Sequence, residues 1–313
     1  MNIIITGGCG FIGKYLVELL YKDSRINLIY VIDININNKL TNYDNTKLKY
    51  ITESSKLIKT LDKLNIAFDI IFHLGEFSRI NASFTLIENV IDTNIIGTMT
   101  ILEYARKHNC FLVYSASSSV HQMKENEANP YTIGKKHNIE WIKYYHKWFN
   151  LSYCLLYFYN VYGDGQIKAG SMSTVIGKFL EQWLNDKMIT VVSPGTQKRS
   201  FTHINDTISA IDIILNKMVF PKIMNKENNQ ENNQENNQEN NSTSLEYNIS
   251  SGIEYSILDV AKMFGDNYII VKKDKVNRMS SIGDNSKLLE LGWEPKIMLK
   301  NYIENYVKYS ISL

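Results

Sequence analysis

The chain has 313 residues, enough for one large or two modest domains with a real core, and a net charge of +2 with its basic residues scattered. That balance excludes a nucleic-acid partner, and no apolar run is long enough to span a membrane. Three cysteines, Cys9, Cys110 and Cys154, are odd in number and lack metal-ligand spacing. They read as free buried thiols of a reducing cytosol, with no metal site.

The N-terminus is itself a strand, which leaves no room for a signal peptide. Ile3 to Ile5 is short and apolar and runs into Thr6-Gly7-Gly8-Cys9-Gly10-Phe11-Ile12-Gly13. Gly7 and Gly10 permit a tight turn whose backbone approaches a phosphate, and Gly13 lets the next helix lie against the sheet. Phe11 and Ile12 open that helix, whose free N–H groups would receive a pyrophosphate. A helical pattern, Tyr15 to Leu20, follows, and then a second strand, Leu28 to Ile32, ends in Asp33. An acid about 20 residues past the glycine turn can accept hydrogen bonds from both adenosine ribose hydroxyls and would repel a 2′-phosphate. Ile34, Asn35, Ile36 and Asn37 come next, with no Arg, so the cofactor expected is NAD rather than NADP.

Strand and helix then alternate. Phe68 to Leu74 is a buried strand, Ile91 to Lys107 has apolar residues at helical spacing, and Phe111 to Ser115 is a further buried strand. Such alternation predicts a Rossmann-type, doubly wound parallel sheet. Ligands bind at the carboxyl ends of its strands, where Gly7, Asp33, His73, Leu74 and Ser115 to Ser117 fall. Beyond that strand, Tyr131 and Lys135 stand at i and i+4 of a helix and share one face. A nearby ammonium favours the phenolate, so Tyr131 can serve as a base, with Ser117 holding a substrate hydroxyl in line. The order of these elements points to hydride transfer with a bound nicotinamide cofactor.

Residues 1–163 are expected to hold the cofactor, and residues 164–313 to form a smaller α/β substrate domain. Within the second part, residues 225–243 include the tandem run KENNQENNQENNQENN, which has no apolar residue to bury. It is expected to be a disordered surface insertion. A helical stretch, Ile208 to Leu215, precedes it and a strand, Leu245 to Ile249, follows.

Outside that insertion the chain resembles the extended short-chain dehydrogenase/reductases, in particular the NAD-dependent nucleotide-sugar epimerases and dehydratases. TGGCGFIG matches the TGGxGFIG of that group, and Phe72 to Gly75 resembles its HLA strand end, which puts Leu74 at the cofactor. Asp92 to Thr98 matches NxxGT, which implies that Asn94 braces the site near the cofactor. Ser117 corresponds to the catalytic hydroxyl, and Tyr131 with Lys135 to the YxxxK pair, whose lysine also holds the nicotinamide ribose. Tyr157 to Gly163 resembles RYFNVYG, and Gly195 to Asp206 resembles GxxxRDFxHVxD. The resemblance implies a nucleotide-diphosphate sugar held by Ser117, Asn160, Arg199 and Arg278. Leu291 to Pro295 matches the closing LGWxP. The group also implies a cytoplasmic homodimer.

The departures point to particular chemistry. Dehydratases of the group carry acidic residues just after the catalytic hydroxyl, where this chain has Ser118 and Ser119. The segment from Ser117 to Tyr131 is short, with Glu125 and Glu127 its carboxylates, and Glu76 replaces a small residue beside the nicotinamide pocket as either a substrate contact or a buried structural acid. The activity implied is 4-epimerisation of a UDP-sugar through a transient 4-keto intermediate. The alternatives are a 4,6-dehydratase or 4-keto reductase on the same substrate class, or a catalytically silent NAD-binding protein.

Overall fold

The computed structural model describes residues 1–121, 125–231, 242–272 and 279–311. Its first half alternates as the sequence predicts: β1 (Asn2–Thr6), α1 (Phe11–Lys22), β2 (Leu28–Asp33), β3 (Leu48–Thr52), β4 (Ile70–His73), two short helices α2 (Ile80–Ser83) and α3 (Ile87–Val90), α4 (Thr98–His108), β5 (Phe111–Ser117), α5 (Pro130–Phe149) and β6 (Tyr153–Phe158). The second half contains β7 (Val161–Tyr162), α6 (Val175–Leu184), β8 (Ile189–Val192), β9 (Lys198–Ser200), β10 (Thr202–His203), α7 (Ile204–Ile214), α8 (Phe220–Glu231), β11 (Ser244–Ile249), β12 (Glu254–Ser256), α9 (Ile257–Lys262), β13 (Tyr268–Val271), α10 (Ser286–Glu290) and α11 (Leu299–Ile311).

The central sheet has seven strands in the order β11-β6-β5-β4-β1-β2-β3, every neighbouring pair parallel. A fully parallel sheet is covered on both faces, so its strands alternate between two apolar layers instead of between core and water. Ile3 and Ile5 of β1 enter one layer with Phe72, Val113, Cys154 and Leu156, while Ile4 enters the other with Ile71, Leu112, Tyr114 and Leu155. Burial pushes the thiols of Cys9 and Cys110 up to about 12, with a smaller push from Asp33 and Asp69 respectively, so at neutral pH both are protonated packing groups. The chain winds outward from β1 through β2 to β3, then crosses back to β4 and winds the other way. The reversal between β1 and β4 leaves a crevice at the carboxyl ends, which is where a ligand fits in such a sheet.

The second half does not pack as one separate body beyond residue 163. α7, the start of α8 and β11 return to the first: Ala210, Ile211, Ile214, Phe220, Ile223, Tyr247 and Ile249 are buried in the same layer as Ile3 and Ile5. The smaller lobe has its own core around Phe179, Leu180, Val191, Phe201, Val260 and Ile303, with β8 paired to β13 and β9 to β12. The two lobes are therefore interleaved along the chain, and a single boundary at 163/164 does not divide them. The insertion differs from expectation as well. α8 runs on to Glu231, so residues 225–231 are helical, because a helix nucleated by buried Phe220 and Ile223 propagates at little cost into polar residues. Residues 232–241 lie outside the described part of the chain.

Candidate active site

The turn after β1 is built from close approaches. Gly7 sits at φ +71°, and a Cβ there would lie 2.7 Å from the backbone of Leu74 and Gly75; a Cβ on Gly13 would lie 2.1 Å from the Gly7 carbonyl oxygen. Both positions exclude a side chain, so the turn lies hard against the chain that leaves β4, and α1 lies hard against the turn. Gly10 is the N-cap of α1 and supplies no side-chain cap, which leaves the first N–H groups of Phe11, Ile12 and Gly13 for a ligand. Asp33 closes the far side. One carboxylate oxygen accepts from the Cys9 N–H at 2.9 Å and the other from the Asn35 N–H at 3.0 Å. The carboxylate thus fixes the phosphate turn and keeps lone pairs for ribose hydroxyls. This cradle fits a dinucleotide: the free N–H groups of α1 would receive the pyrophosphate and Asp33 the adenosine ribose, leaving the nicotinamide half for the ends of β4 and β5.

At the ends of β4 and β5 the side chains form one buried network. α5 is started by Asn129, whose side chain accepts from the Thr132 N–H at 2.9 Å, with Pro130 in the first turn. From that start Tyr131 and Lys135 face the sheet, 8% and 3% exposed. The Lys135 ammonium pairs with Glu76, donates to the Ser115 carbonyl and lies 4.6 Å from the centre of the Tyr114 ring. The other oxygen of Glu76 accepts from the hydroxyls of Thr98 and Tyr114, each at 3.0 Å, and from the Asn138 amide at 2.9 Å. Glu76 is therefore a buried acid with four partners, which decides between the two readings the sequence left open.

The network continues to the phosphate turn. The Thr98 hydroxyl has one proton, which goes to Glu76, so His73 must donate to it from Nε2, at 3.0 Å. His73 Nδ1 must then accept from the Thr6 hydroxyl, at 2.7 Å, which in turn accepts from the Gly75 N–H at 3.1 Å. Burial pulls the imidazole down to about 4, with Lys135 adding to burial and Glu76 opposing it, so this relay holds a neutral ring at physiological pH. Burial, reinforced by Glu76, likewise holds the Tyr114 phenol well above its ordinary value and protonated.

Above this floor the Ser117 hydroxyl lies 2.9 Å from that of Ser119, and both are on the short stretch that ends β5. Asn94, fully buried, accepts from the Phe77 N–H at 2.7 Å and donates to the Phe77 carbonyl at 2.9 Å. Its side chain braces the segment after β4 instead of pointing at a ligand. Leu74 is held at the strand end by its N–H bond to the Thr6 carbonyl, 3.1 Å. The Asn160 amide donates to the Ser200 carbonyl at 2.8 Å, and the Arg199 guanidinium, on β9, donates to the Lys198 carbonyl at 2.7 Å. Arg278 lies outside the described residues.

Sequence reasoning missed His73, Thr98, Tyr114 and Asn138 as a unit, although Asn138 stands three residues after Lys135 and so on its face of α5. It also missed Arg79. That guanidinium donates to the Met172 carbonyl at 2.7 Å. Burial holds it below its usual range, while the nearby Tyr131 phenol opposes that through space. Among the described residues, no cluster of His, Cys, Asp or Glu could hold a metal ion, and no helix is long and apolar enough to cross a membrane.

A Rossmann sheet, a glycine turn closed by an acid, and a buried tyrosine and lysine one turn apart on α5, the lysine bonded to the end of β5, fit a nicotinamide-dependent enzyme class. More narrowly, the chain belongs to the NAD dependent epimerase/dehydratase family, which it matches over residues 3–225. It is 28% identical to a dTDP-D-glucose 4,6-dehydratase of Dictyostelium discoideum over 83% of this chain, though it spans only 61% of that longer protein. It is 26% identical to a putative UDP-glucose 4-epimerase of Methanocaldococcus jannaschii, over 98% of this chain and 97% of that one. Among solved structures it resembles UDP-glucuronic acid 4-epimerase of Bacillus cereus, crystallised with a fluorinated UDP-sugar and NAD, with a TM-score of 0.80, 24% identity, and 99% and 100% of the two chains covered. The protein is thus an NAD-dependent enzyme of the nucleotide-sugar epimerase/dehydratase family.

Proposed function

We propose that the protein is a 4-epimerase of a UDP-sugar. The observation that carries this reading is the pairing of Ser117 with Ser119 at the end of β5. Elimination of water across C5 and C6 needs an acid for the departing hydroxyl and a base for C5. Here the side chains after the catalytic hydroxyl are alcohols, and the carboxylate beneath them, Glu76, is fully engaged by Lys135, Thr98, Tyr114 and Asn138. The Methanocaldococcus relative, alike over nearly its whole length, supports the same reading.

NAD, when bound, would supply the hydride acceptor for oxidation at C4 and the hydride donor for the return to the opposite face of the sugar. Tyr131 accepts the proton of the 4-hydroxyl and gives it back, which for a positioned base contributes ~10²–10⁴-fold. Lys135 follows one turn along the same face of α5, and Ser117 orients the hydroxyl. Arg199 on β9, next in sequence to the Ser200 carbonyl that Asn160 engages, suits the diphosphate, since a guanidinium binds phosphate oxygens in a fork. A 4,6-dehydratase is the second reading, favoured by the Dictyostelium relative and by Glu125 and Glu127 in the turn before α5. Incubation with UDP-, GDP-, CDP- and dTDP-hexoses, followed by NMR and mass analysis, separates the two. The expected product has the substrate's mass and an inverted C4; a product lighter by one water overturns the epimerase.

A further inference from the structure

Lys135 and Glu76 are the charged pair beneath the nicotinamide half of the cradle, with side chains 4% and 1% exposed. A lone buried ammonium there would repel the positive charge that the nicotinamide ring carries only in the oxidised cofactor. Glu76 cancels that ammonium, and three neutral donors, Thr98, Tyr114 and Asn138, hold its carboxylate in place against Lys135. Arg79 stands on the Tyr131 side, and His73 behind the pair is neutral at physiological pH. We infer that Glu76 is a positioning residue that tunes the redox preference of the bound cofactor: by neutralising Lys135 it removes the bias against NAD⁺, the form that can begin each catalytic cycle.

The inference rests on the cofactor and not on the sugar, so a failed epimerisation assay leaves it standing. Its test is the ratio of dissociation constants for NAD⁺ and NADH, measured on the purified full chain by calorimetric or fluorescence titration without any sugar. Glu76→Gln keeps an acceptor for Thr98, Tyr114 and Asn138 and removes the charge. It is expected to weaken NAD⁺ relative to NADH by ~10-fold, the order expected for unmasking one partly screened unit charge near the ring. Lys135→Met is expected to move the ratio the opposite way, whatever it does to both affinities together. The double variant is expected to return the ratio to within ~3-fold of the parent. Loss of packing would weaken both cofactor forms alike and cannot reverse sign between the single variants. Single variants that move the ratio in the same direction, or by less than ~3-fold, overturn the inference. Should Glu76→Gln fail to fold, a ratio in Lys135→Met that does not shift toward NAD⁺ overturns it alone.

Discussion

Tyr131 bears the proton chemistry proposed for this site. Lys135 lies one turn along α5, and the Arg79 guanidinium and the Tyr131 phenol influence each other through space. Tyr131→Phe removes the proton acceptor but keeps the ring, which is 8% exposed and packs as Phe would. The expected result is a loss of ~10²–10⁴-fold in kcat with an unchanged melting temperature. A variant that turns over the true substrate near the parental rate would refute the role given to Tyr131. The spacing of Tyr131 and Lys135 was legible in the sequence because it is local: four residues on a helix define a shared face whatever surrounds them. The pairing of Lys135 with Glu76 was not, because it depends on three segments meeting, the end of β4, the body of β5 and the second turn of α5. No period within any one of them records where the other two arrive.

At the scale of an element, β4 shows how a strand end can couple stability to pH. His73 is fully buried, and its folded-state value of about 4 lies below the ordinary 6.5. In the unfolded chain the imidazole takes up a proton as pH falls through about 6.5; in the folded chain it does not until about 4. The unfolded state therefore binds more protons across that window, and stability falls with falling pH between about 6.5 and 4 by about 3 kcal/mol from this residue. His73→Gln removes the titration, so its stability should change less across that range than the parent's, as measured by urea unfolding at pH 7 and pH 4.5. Equal pH dependence in the two proteins would show that His73 is not the coupled group. The glycine turn was readable at this scale because Gly7 and Gly13 are required by contacts within one strand–turn–helix unit. The bond from Cys9 to Asp33 was not, since it is a backbone donor meeting a side chain from the next strand. α8 shows the converse error: composition suggested a break at residue 225, but two buried apolar residues carried the helix through to Glu231.

At the scale of the whole molecule, the two lobes trade segments. The sequence order suggested one boundary because local alternation carries no information about which distant strand joins which edge. β11 closes the sheet beside β6 in register from Ser244↔Tyr153 to Ile249↔Phe158, and α7 covers the layer that holds Cys154 and Leu156. A fragment of residues 1–163 lacks both, so it leaves a strand edge unpaired and an apolar face bare. It is expected to aggregate, or to unfold without a cooperative transition by calorimetry, whereas the full chain unfolds cooperatively. A soluble fragment with a sharp melting transition would restore the simple boundary.

The same late strand governs the order of events during synthesis. β6 leaves the ribosome well before β11, and at ~5–20 residues per second the wait lasts several seconds. For that interval the growing chain presents an open row of N–H and C=O groups on Tyr153 to Phe158, and the polar run that begins after Ile223 lengthens it. The nascent protein therefore depends on its own downstream segment, or on a chaperone in the meantime, to keep that edge from pairing with a neighbouring chain.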